Sequence, residues 1–482
     1  MPLQHRPSTA HAALGDEFFD IVAPAAFPQH ILRHRNQAWA ARTGLDGLTD
    51  AEWIDHFGRF VPLPGSFGQP LALRYHGHQF RSYNPDLGDG RGFLFAQLHD
   101  LKDNRLLDLA TKGSGTTPWS RGADGRLTLK GGVREVLATT MLEAQGVETS
   151  KSFSLIETGE DLQRHDEPSP TRAAVLVRLS HSHIRIGTFQ RRAYHRDPEG
   201  MQRLVDHSIR HYMPHLWHDD AVERGRGFYQ EVTARVARMG AQWMAAGFVH
   251  GVLNTDNINI TGESFDYGPW RWLPTLDPAF TAAYFDHSGL YAYGRQPETL
   301  LWNLAQLGSC LLSLVPKEAL LPVIDGFEPI FHGEYAAAIL RRLALAPRGP
   351  PHDAALAGAF TTFLQESQVP FEQAFFDWHA GLASEARAAR SSAAEHYQHV
   401  SFATFRDALA GYEPAHGANP GHPYFGRPTP STLLIDEVEA LWAPIAEHDD
   451  WSRLEAKLAD IAAMSEAYGT STSPHAASAG SV

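Results

Sequence analysis

Hydrophobic positions along the chain change their period near residue 198. Between 71 and about 195 they fall in short apolar runs bounded by turn residues. This predicts strands at Gly92–Leu98, Leu106–Lys112, Ser152–Glu157 and Ala173–Leu179, with His99–Arg105 as a polar turn. The exception is Gly132–Gln145, where Val133, Val136, Leu137, Met141 and Ala144 recur at intervals of three and four before Gly146, a helix with a stop signal. After 198 the helical period takes over. Gly200–His215 and Gly227–Ala246 are amphipathic, the second with Phe228, Val232, Val236, Met239 and Trp243 on one face. Further helices are predicted over 297–315, 334–346, 355–366, 370–391 and 434–464. A polar, motif-rich break at 248–293 contains strand-like runs at Asn257–Thr261 and Ser264–Asp266. Ahead of all this, residues 16–70 read as short helices (Phe27–Thr43, Asp50–Phe57) followed by a Pro/Gly-rich stretch at 62–70.

The pattern divides the chain into an approach segment (1–70), a strand-rich unit (71–195), a helical unit (196–465) and a tail (466–482). The tail becomes Ser/Ala/Thr/Gly-rich from Gly469, a composition expected to be disordered. No repeat of solenoid or propeller length is present. A strand-rich first half, a helical second half and a polar motif at 248–268 between them is an α+β layout. It is the layout of a two-lobed nucleotide enzyme.

Composition narrows the setting. The 482 residues are 43% hydrophobic and 20% charged, values of a folded globular chain rather than a disordered one. Cys310 is the only cysteine, so no intrachain disulfide and no thiolate zinc site can form, and a reducing compartment is expected. The formal net charge of −14 disfavours nucleic acid, and any anionic ligand needs a local cluster of Arg and Lys. Met1–Gly15 has no apolar run, so no signal peptide is expected. The most apolar stretch, Leu300–Val315, is interrupted by Asn303, Gln306 and Ser309, so no membrane association is expected either. The expected location is the cytoplasm.

Five groups of residues carry candidate chemistry. Leu87-Gly88-Asp89-Gly90-Arg91-Gly92 precedes a strand; it fits a hairpin turn, or a loop whose backbone N–H groups approach phosphates. Lys112 ends a strand, and Glu135 lies on the helix that follows. A strand lysine held by a helix carboxylate is how kinases grip nucleotide phosphates, although each residue alone also fits an ordinary surface. Ser120–Arg126, with Asp124-Gly125, is a turn signal and a polar segment able to close over a ligand. Arg178 and Arg185 flank a strand end as two planar, bidentate phosphate donors. The histidine pairs His181/His183 and His76/His78 lack a third ligand and read as loop residues rather than a metal site.

The strongest signal is His250-Gly251-Val252-Leu253-Asn254-Thr255-Asp256-Asn257, followed by Asp266-Tyr267-Gly268. His250, Asn257 and Asp266 fall in register with the kinase H-x-D-x-x-x-x-N loop and its later D-F-G. The position of the kinase base is Val252, which cannot accept a proton, so γ-phosphoryl transfer by that route is disabled. Asn257 and Asp266 remain as oxygen ligands suited to a hard cation, and Asp256 adds a carboxylate at the same mouth.

These motifs together, with Tyr75–Phe80, Arg134-Glu135 and Arg295–Leu304, resemble the selenoprotein O family, kinase-fold protein adenylyltransferases, over roughly residues 17–320. The resemblance implies a protein-kinase-like two-lobed fold with a strand-rich N-lobe, a helical C-lobe and extra helices. It implies ATP bound in the reverse sense to a kinase and AMP moved onto Ser, Thr or Tyr hydroxyls of proteins, with pyrophosphate released. UTP with manganese would give UMP transfer instead. Gly88, Gly90 and Arg91 would touch the nucleotide, and Lys112 would hold phosphates with Glu135 as partner. Asp124 and Gly125 would lie over the nucleotide, and Arg178 and Arg185 would bind its β/γ end. Asn257 and Asp266 would hold Mg²⁺ or Mn²⁺, with Asp266 also near the nucleotide, and Asp256 would be the proton acceptor.

The sequence departs from the family at Ser114-Gly115-Thr116 and Lys130-Gly131-Gly132. It also lacks the family's usual closing motif and a C-terminal cysteine, so a disulfide-based redox control cannot operate within the chain. Two other readings compete: a catalytically silent ATP-binding pseudokinase scaffold, and a phosphotransferase using Asp256 as a displaced base.

Overall fold

The structure is a computed structural model and describes residues 4–165 and 167–470. Thirteen strands occur among them: β1 (Pro7–Ser8), β2 (Phe19–Ile21), β3 (Ile31–Arg35), β4 (Leu71–Leu73), β5 (Gly77–Gln79), β6 (Ser82–Asn84), β7 (Leu94–His99), β8 (Leu106–Lys112), β9 (Leu127–Thr128), β10 (Lys151–Leu162), β11 (Thr171–Ser180), β12 (Phe248–His250) and β13 (Trp270–Trp272). Nine form one antiparallel sheet in the order β2-β4-β7-β8-β11-β10-β3, with β1 added to β7 and β9 to β11. The remaining four make two separate hairpin-like pairs, β5–β6 and β12–β13.

The sheet is covered on both faces, which is why its central strands read as unbroken apolar runs rather than as alternating ones. In β11, Ala174 and Leu176 join the core built on helix Leu129–Ala144. The alternate residues Val175, Val177 and Leu179 join the core of Trp39, Trp53, Phe57 and Phe153 on the other face. Helix Leu129–Ala144 starts where the Thr128 hydroxyl accepts a hydrogen bond from the N–H of Gly131, and buries Val133, Val136, Leu137 and Met141. From 186 onward the chain is mainly helical, apart from the stretch 247–295 that holds β12, β13 and the loop between them. The 26-residue helix Ala221–Ala246 is central, and helices Phe327–Arg342, Pro350–Ser367 and Val400–Leu409 enclose a separate aromatic core around Phe360, Phe363 and Phe405. No helix among the described residues is long and apolar enough to cross a membrane.

Several expected elements change. Only Gln37–Thr43 of the predicted helix Phe27–Thr43 is helical. Ile31–Arg35 is β3, drawn into the sheet by pairing with β10 and by the ion pairs of Arg33 with Glu157 and Asp449. The predicted helix 370–391 breaks after Phe371–Asp377, where Ala380 takes a left-handed backbone (φ 68°). The predicted helix 434–464 is two helices, Ile435–His448 and Ser452–Ala467, parted at Asp449 (φ 52°), whose carboxylate accepts from Arg33 and Arg172. The runs 257–261 and 264–266 are not strands; Asn259 and Ser264 make single bridges to Arg185 and Thr149. The expected disorder from 466 does not hold for 466–470: the helix reaches Ala467, and the Thr470 hydroxyl donates to the carbonyl of Ala144. Residues 471–482 lie outside the described residues.

Burial also sets the response to acid. His11, His250 and His379 are no more than 2% exposed, and loss of solvation lowers each from its ordinary value to about 4. The unfolded chain takes up these protons near pH 6.5 and the folded chain only near 4. Their stabilisation is therefore complete above pH 6.5 and is lost between 6.5 and 4, by about 1.4 kcal/mol per pH unit for each group. Urea titrations should show the unfolding midpoint falling steeply across this window, and His11→Phe should flatten the slope. An unchanged midpoint from pH 7 to 5 contradicts the assignment.

Candidate active site

Between the sheet and the helical part lies a cavity of about 410 Å³, walled by Gly88, Gly90, Arg91, Lys112, Arg178, Arg185, Asp256, Asn257 and Asp266 together with Tyr75, Asp89, Trp119, Arg121 and Val252. These groups come from Tyr75 ahead of β5, the glycine-rich loop before β7, strands β8 and β11, the segment 119–121, Arg185 beyond β11, and the loop 251–269. Pairing of β12 with β13 closes that last loop at its base, Phe248 opposite Trp272 and His250 opposite Trp270. Backbone bonds then fasten it to the sheet side, from Ile186 N–H to the Ile258 carbonyl (3.0 Å) and from Ser264 N–H to that of Glu148 (2.9 Å).

Lys112 is the centre of the charge arrangement. It is 4% exposed, yet its ammonium bonds to Glu135 on one side and to Asp266 at 2.8 Å on the other. The second oxygen of Glu135 has no hydrogen-bond partner. Asp266 is also 3.2 Å from the guanidinium of Arg178. Burial works against its charge, but Lys112, Arg178 and Arg91 hold its carboxyl well below the usual range. Its backbone is left-handed (φ 61°), a conformation that Asp tolerates better than most residues and that concentrates at functional positions.

Arg185 is buried with its guanidinium over the ring of Tyr75 (4.1 Å) and near that of Phe265 (5.1 Å), facing Asp89 at 3.5 Å. Burial opposes its charge; Tyr75, Asp89, Asp266 and Asp256 more than offset this and raise it. Asp89 itself is pushed up by burial, with Arg185 opposing.

Asp256 is 8% exposed, and burial pushes its carboxyl up to about 7, with Arg185 and Arg121 pulling the other way. Its Oδ1 has no hydrogen-bond partner and lies against Gly77, where an added Cβ would stand 2.9 Å away. The neighbouring Thr255 and Asn254 side chains accept from the N–H groups of His78 (2.7 Å) and Phe80 (3.1 Å), so hairpin β5–β6 braces the loop. Asn257 donates its amide N–H to the Val252 carbonyl (2.9 Å), which leaves its amide oxygen free.

A free amide oxygen at Asn257 and a strongly ionised carboxylate at Asp266 fit a hard divalent cation, whose other ligands would be phosphate and water oxygens. Among the described residues no three His, Cys, Asp or Glu side chains gather as a metal site. The two histidine pairs are not simply loop residues: His78 lies in β5, and His76 and His183 are buried.

Three expected residues stand off the cavity wall. Asp124 is exposed and paired with Arg164 at 2.8 Å, and Gly125 (φ 69°) packs on the backbone of Gly115, whereas Ser120, Arg121 and Ala123 of the same segment do line the cavity. Glu135 lies behind Lys112 rather than on the wall. Sequence reasoning missed Tyr75, Asp89 and Trp119. Asp89 stands inside the glycine motif, whose glycines drew the attention. Nothing in the sequence signals Trp119, though its ring explains Gly88: a Cβ there would sit 2.4 Å from it.

The chain is similar to known proteins over most of its length. The sequence model of the family described as Protein adenylyltransferase SelO matches residues 1–462. A protein of Gloeobacter violaceus named Protein nucleotidyltransferase YdiU is 45% identical over 464 residues, 94% of this chain and 93% of its own. Proteins of the same name from Synechocystis sp. (43% over 457 residues, 91% and 94%) and Trichormus variabilis (49% over 370 residues, 76% and 74%) are also similar.

Removing one member of a buried ion pair leaves the other uncompensated, at a cost of about 3 kcal/mol or more. Lys112→Met should therefore destabilise the chain by about 3 kcal/mol in urea unfolding, and adding Glu135→Leu should restore more than half of it. A double variant no more stable than the single one contradicts the bracing role.

Proposed function

The chain belongs to the protein adenylyltransferase SelO family, and from that premise we propose that this cavity binds ATP with its α-phosphorus toward Asp256 and transfers AMP to a protein hydroxyl. The observation that carries the reading is the meeting, in one cavity, of an Asp266 gripped by Lys112 and Arg178 with an Asp256 poised to titrate near neutrality. We read the strand-rich and helical parts with the cavity between them as the two lobes of a protein-kinase-like fold.

In the proposed reaction the acceptor hydroxyl oxygen forms a bond to the α-phosphorus, the bond from that phosphorus to the bridging oxygen of the β-phosphate breaks, and pyrophosphate leaves. The hydroxyl proton passes to Asp256, whose buried carboxyl has the proton affinity of a base working near pH 7. Arg178 and Arg185 hold the β- and γ-phosphates, where leaving-group charge develops, and Gly88, Gly90 and Arg91 border the nucleotide. Lys112 binds phosphate while Glu135 keeps it in place. Asn257 and Asp266 hold Mg²⁺ or Mn²⁺, which when bound offsets phosphate charge. Asp124 and Gly125 join only if the segment 120–126 folds further over the nucleotide. UTP with manganese would follow the same path to UMP transfer. Val252 stands on the wall where a kinase has its base, which disfavours γ-phosphoryl transfer.

The test uses a panel of Ser-, Thr- and Tyr-bearing peptides with α- or γ-labelled ATP. Label should reach peptide from the α position only. Asp266→Ala and Asp256→Asn should each lower transfer at least a hundredfold. Because Asp256 acts when ionised, the single-turnover rate should rise about tenfold per pH unit below 7 and level off above it. Label arriving from the γ position rejects the reading, and a pH-independent rate rejects Asp256 as the base.

A further inference from the structure

Hairpin β5–β6 turns through only two residues, Phe80 and Arg81, between the paired Gln79 and Ser82. Both have positive φ, 49° and 62°. Such a turn is the natural place for Asn-Gly, since bulky side chains resist this backbone. The chain nevertheless puts a phenylalanine there and leaves it 39% exposed. Backbone strain retained at one spot, beside a reaction centre, points to a use for the side chain it displays.

The ring of Phe80 does not stand alone. It lies 5.8 Å from Phe285 and 4.9 Å from Tyr291, and Phe285 lies 5.1 Å from Tyr284. Phe285 is 41% exposed and Tyr284 79%. Three neighbouring rings in water form an apolar ledge of the kind that marks an interaction site. The ledge adjoins the cavity, whose lining includes Gln79 and Asn254. The N–H of Phe80 and the hydroxyl of Tyr291 both donate to Asn254, two residues before Asp256. Gly77, at the other end of β5, touches the Asp256 carboxylate. Phe80 stands three positions beyond Gly77, just past the end of β5, a span of about 10 Å at the rise of extended strand.

We propose that Phe80, Tyr284 and Phe285 form the docking surface for the acceptor protein and receive an apolar side chain about three residues from the hydroxyl that takes AMP. An extended acceptor segment advances by the same rise per residue as β5, so a hydroxyl at Asp256 places its third neighbour over the ledge. The inference rests on the transfer reading above and adds to it the class of acceptor sequence.

A positional-scanning peptide library with one central Ser, Thr or Tyr and α-labelled ATP tests it. The native protein should favour Leu or Phe over Ser at least fivefold at one position about three residues from the hydroxyl. Phe80→Asn, and separately Tyr284→Ser with Phe285→Ser, should lower labelling of the favoured peptides five- to tenfold through KM rather than kcat. Labelling of an all-polar peptide and the Kd for an ATP analogue should stay within twofold. Asn accepts left-handed backbone, so the thermal midpoint of Phe80→Asn should hold or rise, which separates lost docking from lost folding. Peptides labelled without positional preference, or a preference that survives both variants, overturn the docking surface alone. No labelling of any peptide by native protein that binds the analogue overturns the transfer reading, and the docking surface with it.

Discussion

A lysine ammonium buried between two carboxylates is the constraint on which the rest of the structure depends. Lys112 is almost wholly shielded from solvent, and charge in such a place persists only when paired. The three members of the cluster come from three parts of the chain: strand β8 supplies the lysine, helix Leu129–Ala144 supplies Glu135, and loop 251–269 supplies Asp266. Satisfying one charge therefore fixes the mutual positions of sheet, helix and loop. A buried ion pair adds little net stability over apolar packing, but breaking it is costly, so its contribution here is position. The same contact leaves Asp266 ionised and aimed at the cavity.

The position of helix Leu129–Ala144 is secured from a second side. Lys130 pairs with Glu439 at 2.7 Å, Arg172 of β11 pairs with Asp449 at 2.6 Å and donates to the Ile445 carbonyl, and the guanidinium of Arg33 lies 4.8 Å from the Trp451 ring centre. Near the end of the described chain, Thr470 donates to the carbonyl of Ala144, the last residue of that helix. The two C-terminal helices thus fold back as a strap over the element that carries Glu135. Exposed pairs of this kind are individually weak, and the strap holds through several of them acting with the apolar contacts of Val438, Leu441, Ile445 and Leu454.

These long-range contacts also explain what the sequence could and could not convey. Helices with a clear three-and-four spacing, such as Ala221–Ala246, and strands buried on both faces, such as β11, are legible because their own residues set the pattern. The strand Ile31–Arg35 is not, because its conformation comes from pairing with β10, more than a hundred residues away. The turn at Phe80-Arg81 is not, because it uses the residue types that turn chemistry disfavours. Within the site, Lys112, Arg178, Arg185, Asp256, Asn257 and Asp266 line one cavity while Asp124 does not, and residues that act by packing do not announce themselves. Tyr75 under Arg185 and Trp119 against Gly88 are ordinary aromatics until the chain is folded.

Under the proposed reading the base stands at position 256 rather than 252, and this changes which phosphorus can react. Most of the charge of a nucleoside triphosphate resides on its β- and γ-phosphates, and the groups best able to offset it are Lys112, Arg178 and Arg185, all nearly excluded from water. A nucleotide that sends that end among them leaves the α-phosphorus as the centre an acceptor can approach. Val252 offers such an acceptor no proton acceptor, while Asp256 does, because Gly77 gives its carboxylate room and burial sets its proton affinity near neutrality. The glycine, the valine and the buried aspartate therefore act together. A side chain at 77 would displace the base, and an acid at 252 would add a like charge beside Asp256 and raise its proton affinity beyond the useful range.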